Sequence, residues 1–204
     1  KDLDDCFKAL KAESALAGRS FSVMGHSWGG FSTMNIVSLH PEITHVVSMS
    51  GFVSVKRMLE QTFAGILKGA VKTMYGLEKQ ANPDFVDFDA VQSLKNTSAK
   101  VLLIASSDDK IVKKEYHFDL LQKELQEKEN ISFLLTEGKG HNPSYTCDAV
   151  QYKDAFFADF QKAVKKKQLE TAQQQKKFMA RYDWHRMTAQ DEAVWQVILQ
   201  TLET

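Results

Sequence analysis

The stretch Phe21-Ser22-Val23-Met24-Gly25-His26-Ser27-Trp28-Gly29-Gly30 decides how the rest of the chain is read. Phe21, Val23 and Met24 predict a short strand that Gly25 closes. From Trp28 to Leu39, Phe31, Met34 and Val37 recur three apart, which predicts a helix that Pro41 stops. Between strand and helix, Gly25-His26-Ser27-Trp28-Gly29 puts a serine on a sharp turn with small residues on either side. G-x-S-x-G alone is a common pattern, and its meaning comes from the strand before it and the helix after it. Such a turn lifts the Ser27 hydroxyl above the sheet edge. It also leaves Ser27 at a helix N-terminus, where unpaired backbone N–H groups favour negative charge. The Trp28 N–H is then placed to donate to an oxyanion.

A serine hydroxyl is a weak nucleophile until a base takes its proton, so a histidine and an acid are sought further along. Apolar runs at 45–49, 101–104 and 131–135 predict three more strands, with helical stretches such as 116–129 between them. This β-α alternation argues for a mostly parallel sheet flanked by helices, with right-handed crossovers. The 101–104 run is the most hydrophobic and suits a strand covered on both faces. Ser106-Ser107-Asp108-Asp109 follows that strand, and Gly138-Lys139-Gly140-His141-Asn142-Pro143 follows the last one. In a parallel sheet these ends share an edge with Ser27, the edge where open α/β sheets bind ligands. His141 is the candidate base, on a loop that its glycines make flexible and exposed. Asp109 is preferred over Asp108 as the acid that orients it, with the other aspartate left to a turn or cap. His26 is too close to Ser27 in sequence to serve it. His40 is expected to cap a helix end, His45 to begin a strand, His117 to lie in a helix and His185 to lie in the C-terminal segment.

Working outward, Leu3, Cys6, Phe7 and Leu10 mark a first amphipathic helix. Residues 56–94 are too long for one crossover. They carry Met58, Leu59, Phe63, Ile66, Leu67, Val71, Met74 and Tyr75, and read as a helical cap insertion over the sheet's carboxyl edge; a long crossover helix plus loop is the plainer alternative. The chain is expected to stay helical to about residue 175. A last helix then starts after Thr188-x-x-Asp191, which resembles a capping box, and buries Val194, Trp195, Ile198 and Leu202. A single domain over 1–204 is the economical reading, with a C-terminal helical extension at 166–204.

Composition narrows the classes. The 204 residues hold 26 Lys+Arg against 26 Asp+Glu and are 43% hydrophobic. That balance offers no electrostatic footprint for nucleic acid or anionic membrane. Lys165-Lys166-Lys167 reads as a solvated helix face. No apolar run approaches the roughly 20 residues that span a bilayer. Cys6 and Cys147 lack metal-ligand spacing; free thiols in a reducing, cytoplasmic compartment fit them, with a single disulfide as the alternative.

Together the three sites resemble the α/β-hydrolase superfamily. Gly-His-Ser-Trp-Gly-Gly is similar to the elbow of its esterase, lipase and serine-aminopeptidase-like branches. Ser106-Ser107-Asp108-Asp109-Lys110-Ile111-Val112 resembles the acid loop, usually G-x-x-D-x-x-V, with Ser106 where glycine is usual. Gly140-His141-Asn142-Pro143 resembles the histidine loop. The resemblance covers about residues 1–165 and implies a serine hydrolase with a Ser27-Asp109-His141 triad, no metal and no organic cofactor. The expected substrate is a small ester or short acyl compound; a peptidase, or a non-catalytic binding module on the same fold, is the alternative. The family's sheet has more strands before the nucleophile than this sequence offers. The expectation is therefore a longer hydrolase, or a partner chain, that completes the sheet and supplies the second oxyanion donor.

Overall fold

The computed structural model describes residues 1–203, the side chains of Ile66 and Leu67 excepted. Strands β1 (Phe21–His26), β2 (Ile43–Met49), β3 (Lys100–Ser106) and β4 (Ile131–Thr136) form one sheet in the order β1-β2-β3-β4. Every pairing is parallel. All four strands lie where the apolar runs predict them. The helices are α1 (Asp2–Ala12), α2 (Trp28–Ile36), α3 (Val55–Thr62), α4 (Ala70–Ala81) and α5 (Ala90–Lys95). They continue as α6 (Phe118–Leu125), α7 (Cys147–Lys165), α8 (Ala172–Met179), α9 (Trp184–Met187) and α10 (Glu192–Glu203).

The period of two along each strand sorts side chains onto two faces. Val46, Val101, Leu103 and Ala105 pack with Phe7, Met34, Leu94 and Leu121 from the helical layer of α1, α2, α5 and α6. Val47, Met49, Leu102 and Ile104 pack instead with Val194 and Ile198 of α10. Burial on both sides is why β3 reads as an unbroken apolar run. Burying Val194 and Ile198 stabilises the fold by roughly 1.5–3 kcal/mol each. The second face is covered unevenly. On β1, Ser22 and Met24 are exposed, Met24 by 45%, and among the described residues β1 has β2 as its single strand neighbour.

Several local expectations are corrected. The helix predicted to Leu39 ends at Ile36. His40, expected as its cap, is buried beyond that end, pairs with Asp4 of α1 at 2.8 Å and lies against Phe7. The predicted helix to about 175 breaks after Lys165, and Lys167 adopts φ 55°, a left-handed turn. All three lysines there are exposed, but only Lys165 belongs to the helix. The capping box lies elsewhere: Thr171 and Gln174 form it at the start of α8. At α10, Asp191 is itself the cap, accepting from the Ala193 and Val194 N–H groups, while the Thr188 hydroxyl donates back to the Trp184 carbonyl.

Between β2 and β3, α3 and α4 flank a 3-10 turn (Gly65–Gly69) and contribute Val55, Met58, Leu59 and Tyr75 to a cluster around Phe31, Phe52 and Val112. Ile66 and Leu67, counted above in the insertion's apolar set, lie outside the described side chains. α5 packs against α2 and α6 in the layer flanking the sheet. Cys6 and Cys147 are both free and exposed. Among the described residues, no helix is long and apolar enough to cross a membrane.

Candidate active site

The elbow is built by close packing. Ser27 adopts φ 58° and ψ −117°, a strained conformation for a residue with a side chain. Its N–H donates to the Met49 carbonyl at 2.9 Å, which ties the turn to the end of β2. A Cβ on Gly25 would lie 2.3 Å from the Gly29 carbonyl oxygen, so only glycine fits there. Gly29, the motif's second glycine, has open space around it. The second tight position is Gly30, whose added Cβ would meet Ser48 Oγ at 2.8 Å and Gly51 Cα at 2.9 Å. Trp28 is the first residue of α2, so its N–H has no partner within the helix.

Beyond β3 and β4, the structure brings Asp109 and His141 together, with His141 Nδ1 2.8 Å from Asp109 Oδ2. The other Asp109 oxygen accepts from the Ile111 and Val112 N–H groups at 2.8 and 3.0 Å. The Asp109 side chain is 1% exposed. Burial alone would raise its pKa. The hydrogen bond from His141, the two backbone donors and the charge on His141 outweigh burial and hold the carboxyl below the usual range. Asp108 serves the loops instead, accepting from Ser106 Oγ at 2.6 Å and the Gly140 N–H at 3.1 Å. Ser106, the departure from glycine, also accepts from the Lys139 N–H at 3.3 Å. Its hydroxyl therefore joins the acid loop to the histidine loop.

His141 is not the freely exposed histidine expected. Gly138 and Gly140 adopt φ 69° and 50°, and the imidazole is held at 14% exposure. His26, set aside in the sequence, reaches this loop rather than Ser27. Its Nε2–H donates to the His141 carbonyl at 2.5 Å, and the two rings lie 4.7 Å apart. Burial lowers the His26 pKa and favours the neutral ring, against the opposing effect of that bond, which favours the protonated form. Lys153 of α7 donates to the Asn142 side chain. Gln61 of α3 brackets the acid loop, donating to the Ile111 carbonyl and accepting from the Lys113 N–H, both at 2.8 Å. None of these residues carries a spacing signal, because each acts across space from a different element. Among the described residues the Ser27 hydroxyl makes no hydrogen bond, and two buried polar atoms, Ser50 Oγ and His117 Nε2, lack partners. His117 precedes α6 rather than lying within it, makes no side-chain cap bond there, and its Nδ1 accepts from the Val53 N–H. No group of three His, Cys, Asp or Glu residues able to hold a metal ion occurs among the described residues.

A groove of about 330 Å³ begins at Trp28 and runs along α2 toward Asn35, walled by Phe31, Val55, Phe85, Val86 and Phe88. The Trp28 ring, 59% exposed, meets Phe52 edge-on at 4.8 Å.

The model of the prolyl oligopeptidase family matches residues 1–168. The chain belongs to the prolyl oligopeptidase family. That span includes the elbow, the acid loop and the histidine loop; α8, α9 and α10 follow it. No curated protein sequence matches the chain significantly. A Pyrococcus furiosus esterase is similar in structure, with TM-score 0.51 and 17% identity over 81% of this chain and 60% of that one. Acetyl xylan esterase 1 of a Thermoanaerobacterium species is similar with TM-score 0.50 and 18% identity over 70% of this chain and 46% of that one. This chain of the prolyl oligopeptidase family therefore spans about half to three-fifths of those structures' length. Its parallel sheet between helices is an α/β-hydrolase fold.

Proposed function

We propose that this chain carries the reacting residues of a serine hydrolase that cleaves carboxylic esters through an acyl-enzyme. The observation that carries the reading is the 2.8 Å bond between His141 and the buried Asp109, at the same sheet edge as a serine on a strained elbow. Asp109 holds the imidazole with its proton on Nδ1 and balances the imidazolium that forms, without taking the proton. His141 Nε2 is then free to accept the Ser27 proton as Ser27 Oγ attacks the carbonyl. The oxyanion draws on the Trp28 N–H. His141 returns the proton to the departing alkoxide, activates a water, and the acid leaves. The unbonded Ser27 hydroxyl suits a base contact that tightens only with substrate bound. An ester is favoured over an amide because alkoxide leaves more readily than amine. The groove beside Trp28, with its aromatic and branched walls, suits a small or medium acyl or aromatic group. The free outer edge of β1 suits a further strand, from a segment outside residues 1–204 or from a partner chain. The free thiols suit a cytoplasmic setting.

The family's description favours a second reading, cleavage of a short peptide at the same serine. A fluorophosphonate probe and a panel of p-nitrophenyl esters and aminoacyl-anilides test both on the full-length protein. Labelling lost in Ser27→Ala with ester turnover supports the proposal; faster anilide turnover supports the peptidase. A folded, unlabelled protein leaves a binding module.

A further inference from the structure

Lys139 lies between two glycines with positive φ and two residues before His141, on a stretch whose backbone has wide conformational freedom. Its side chain is 7% exposed, and its ammonium meets Asp191 Oδ2 at 2.5 Å. Asp191 is the residue whose other oxygen caps α10, and α10 is fixed to the sheet by Val194 and Ile198. The same junction is stitched by backbone. The Asp191 N–H donates to the Ser144 carbonyl at 2.8 Å, the Thr146 N–H donates to the Ala189 carbonyl at 3.0 Å, and Tyr145 bridges Gln190.

We propose that Lys139 and Asp191 are positioning residues that clamp the histidine loop to α10, making the segment after residue 168 part of the hydrolytic machinery. The inference rests on the hydrolase reading of His141. The loop before His141 carries two flexible joints, at Gly138 and Gly140. Ser106 holds the Lys139 N–H, Asp108 the Gly140 N–H and His26 the His141 carbonyl, while the half-buried ion pair holds the Lys139 side chain. A buried ammonium is tolerated only with its partner, so the pair fixes where the loop lies. The hydrogen bond from Lys139 draws the Asp191 carboxyl below its ordinary pKa, against desolvation, so Asp191 stays ionised through the neutral range.

The test uses the full-length protein with Asp191→Asn, which keeps a good helix cap while removing the charge. Lys139→Met, which keeps the apolar stem, and the double variant complete the cycle. Each single variant is expected to lower kcat about 10-fold with KM within about twofold, as misplacement of a reacting group does. Amide hydrogen exchange over 137–146 is expected to quicken, and the double variant to be no worse than the weaker single one, because the two act as a unit. Wild-type kcat and exchange in the variants overturn the clamp. So does a kcat loss explained wholly by a smaller folded, probe-titratable fraction. If the singles do not fold, the double variant, which buries no unpaired charge, decides: wild-type kcat there overturns the proposal. A wild-type protein that neither labels at Ser27 nor turns over ester overturns the hydrolase reading instead, and the exchange data alone then decide the clamp.

Discussion

The nucleophile elbow and the histidine loop reach the same sheet edge by opposite means. At the elbow, residues 25–30 shape one another, Gly25 against Gly29 with Ser27 held at φ 58° between them, and Gly51 just past β2 closes on Gly30. On the histidine loop, neighbours in sequence supply only joints. Position comes from Ser106 at the end of β3 with Asp108 and Asp109 beyond it, from His26 on β1, from Lys153 on α7 and from Asp191 at α10. A turn made of sterics is written in consecutive residues. A loop held by hydrogen bonds from four elements is written nowhere locally.

The contrast can be broken by mutation, beginning where the chemistry is concentrated. Ser27→Ala is expected to lower ester turnover about 10⁵-fold or more, with Tm little changed, because the reacting atom is removed; steady-state kinetics and probe labelling read it. Asp109→Asn is expected to cost about 10⁴-fold in kcat, since an amide there favours the wrong His141 tautomer. Asp108→Asn, which touches only the loop, is expected to cost about 10-fold. Equal losses for the two aspartates would sink the division of labour between them.

Stability effects sharpen the steric half. Gly25→Ala is expected to destabilise by at least about 3 kcal/mol, because its Cβ would fall on backbone rather than on a flexible side chain. Gly29→Ala, inside the same motif, is expected to change stability by less than about 1 kcal/mol. Urea unfolding of both variants checks the pair.

A further expected effect is a pH slope. Burial holds His117 neutral, its pKa pushed down from 6.5 to about 4. Between those values the unfolded chain binds a proton that the folded chain refuses. Stability from this group is therefore complete above about pH 6.5 and declines as pH falls toward 4, by up to about 3 kcal/mol. His117→Gln, uncharged at every pH, is expected to lose that part of the slope in urea midpoints measured from pH 4 to 7.

Legibility followed the same division. The four strands, the elbow and the order serine, aspartate, histidine stand in the sequence because apolar runs, glycines and strand ends are local signals. The preference for Asp109 over Asp108 stands there too, and His141 meets Asp109, but the bonds of Asp108 to Ser106 and Gly140 carry no local signal. Ser106 looked like a weakened motif and turned out to tie two loops together. The cap of α10 was misplaced by three residues, because Thr188 and Asp191 satisfy the same pattern and only the backbone path separates them.

By itself, the sequence determined the parallel sheet, the strained turn at Ser27 and the candidate acid and base at two further strand ends. Those follow from periodicity and from what a tight turn allows, and both act between near neighbours. Tertiary structure decided that Asp108 and Ser106 tie the two loops together, that His26 holds the His141 carbonyl, and that α10 covers the sheet with Asp191 at its start meeting Lys139. Those are contacts between residues as many as 115 positions apart, as for His26 and His141, and they exist only once the sheet has brought its carboxyl ends together.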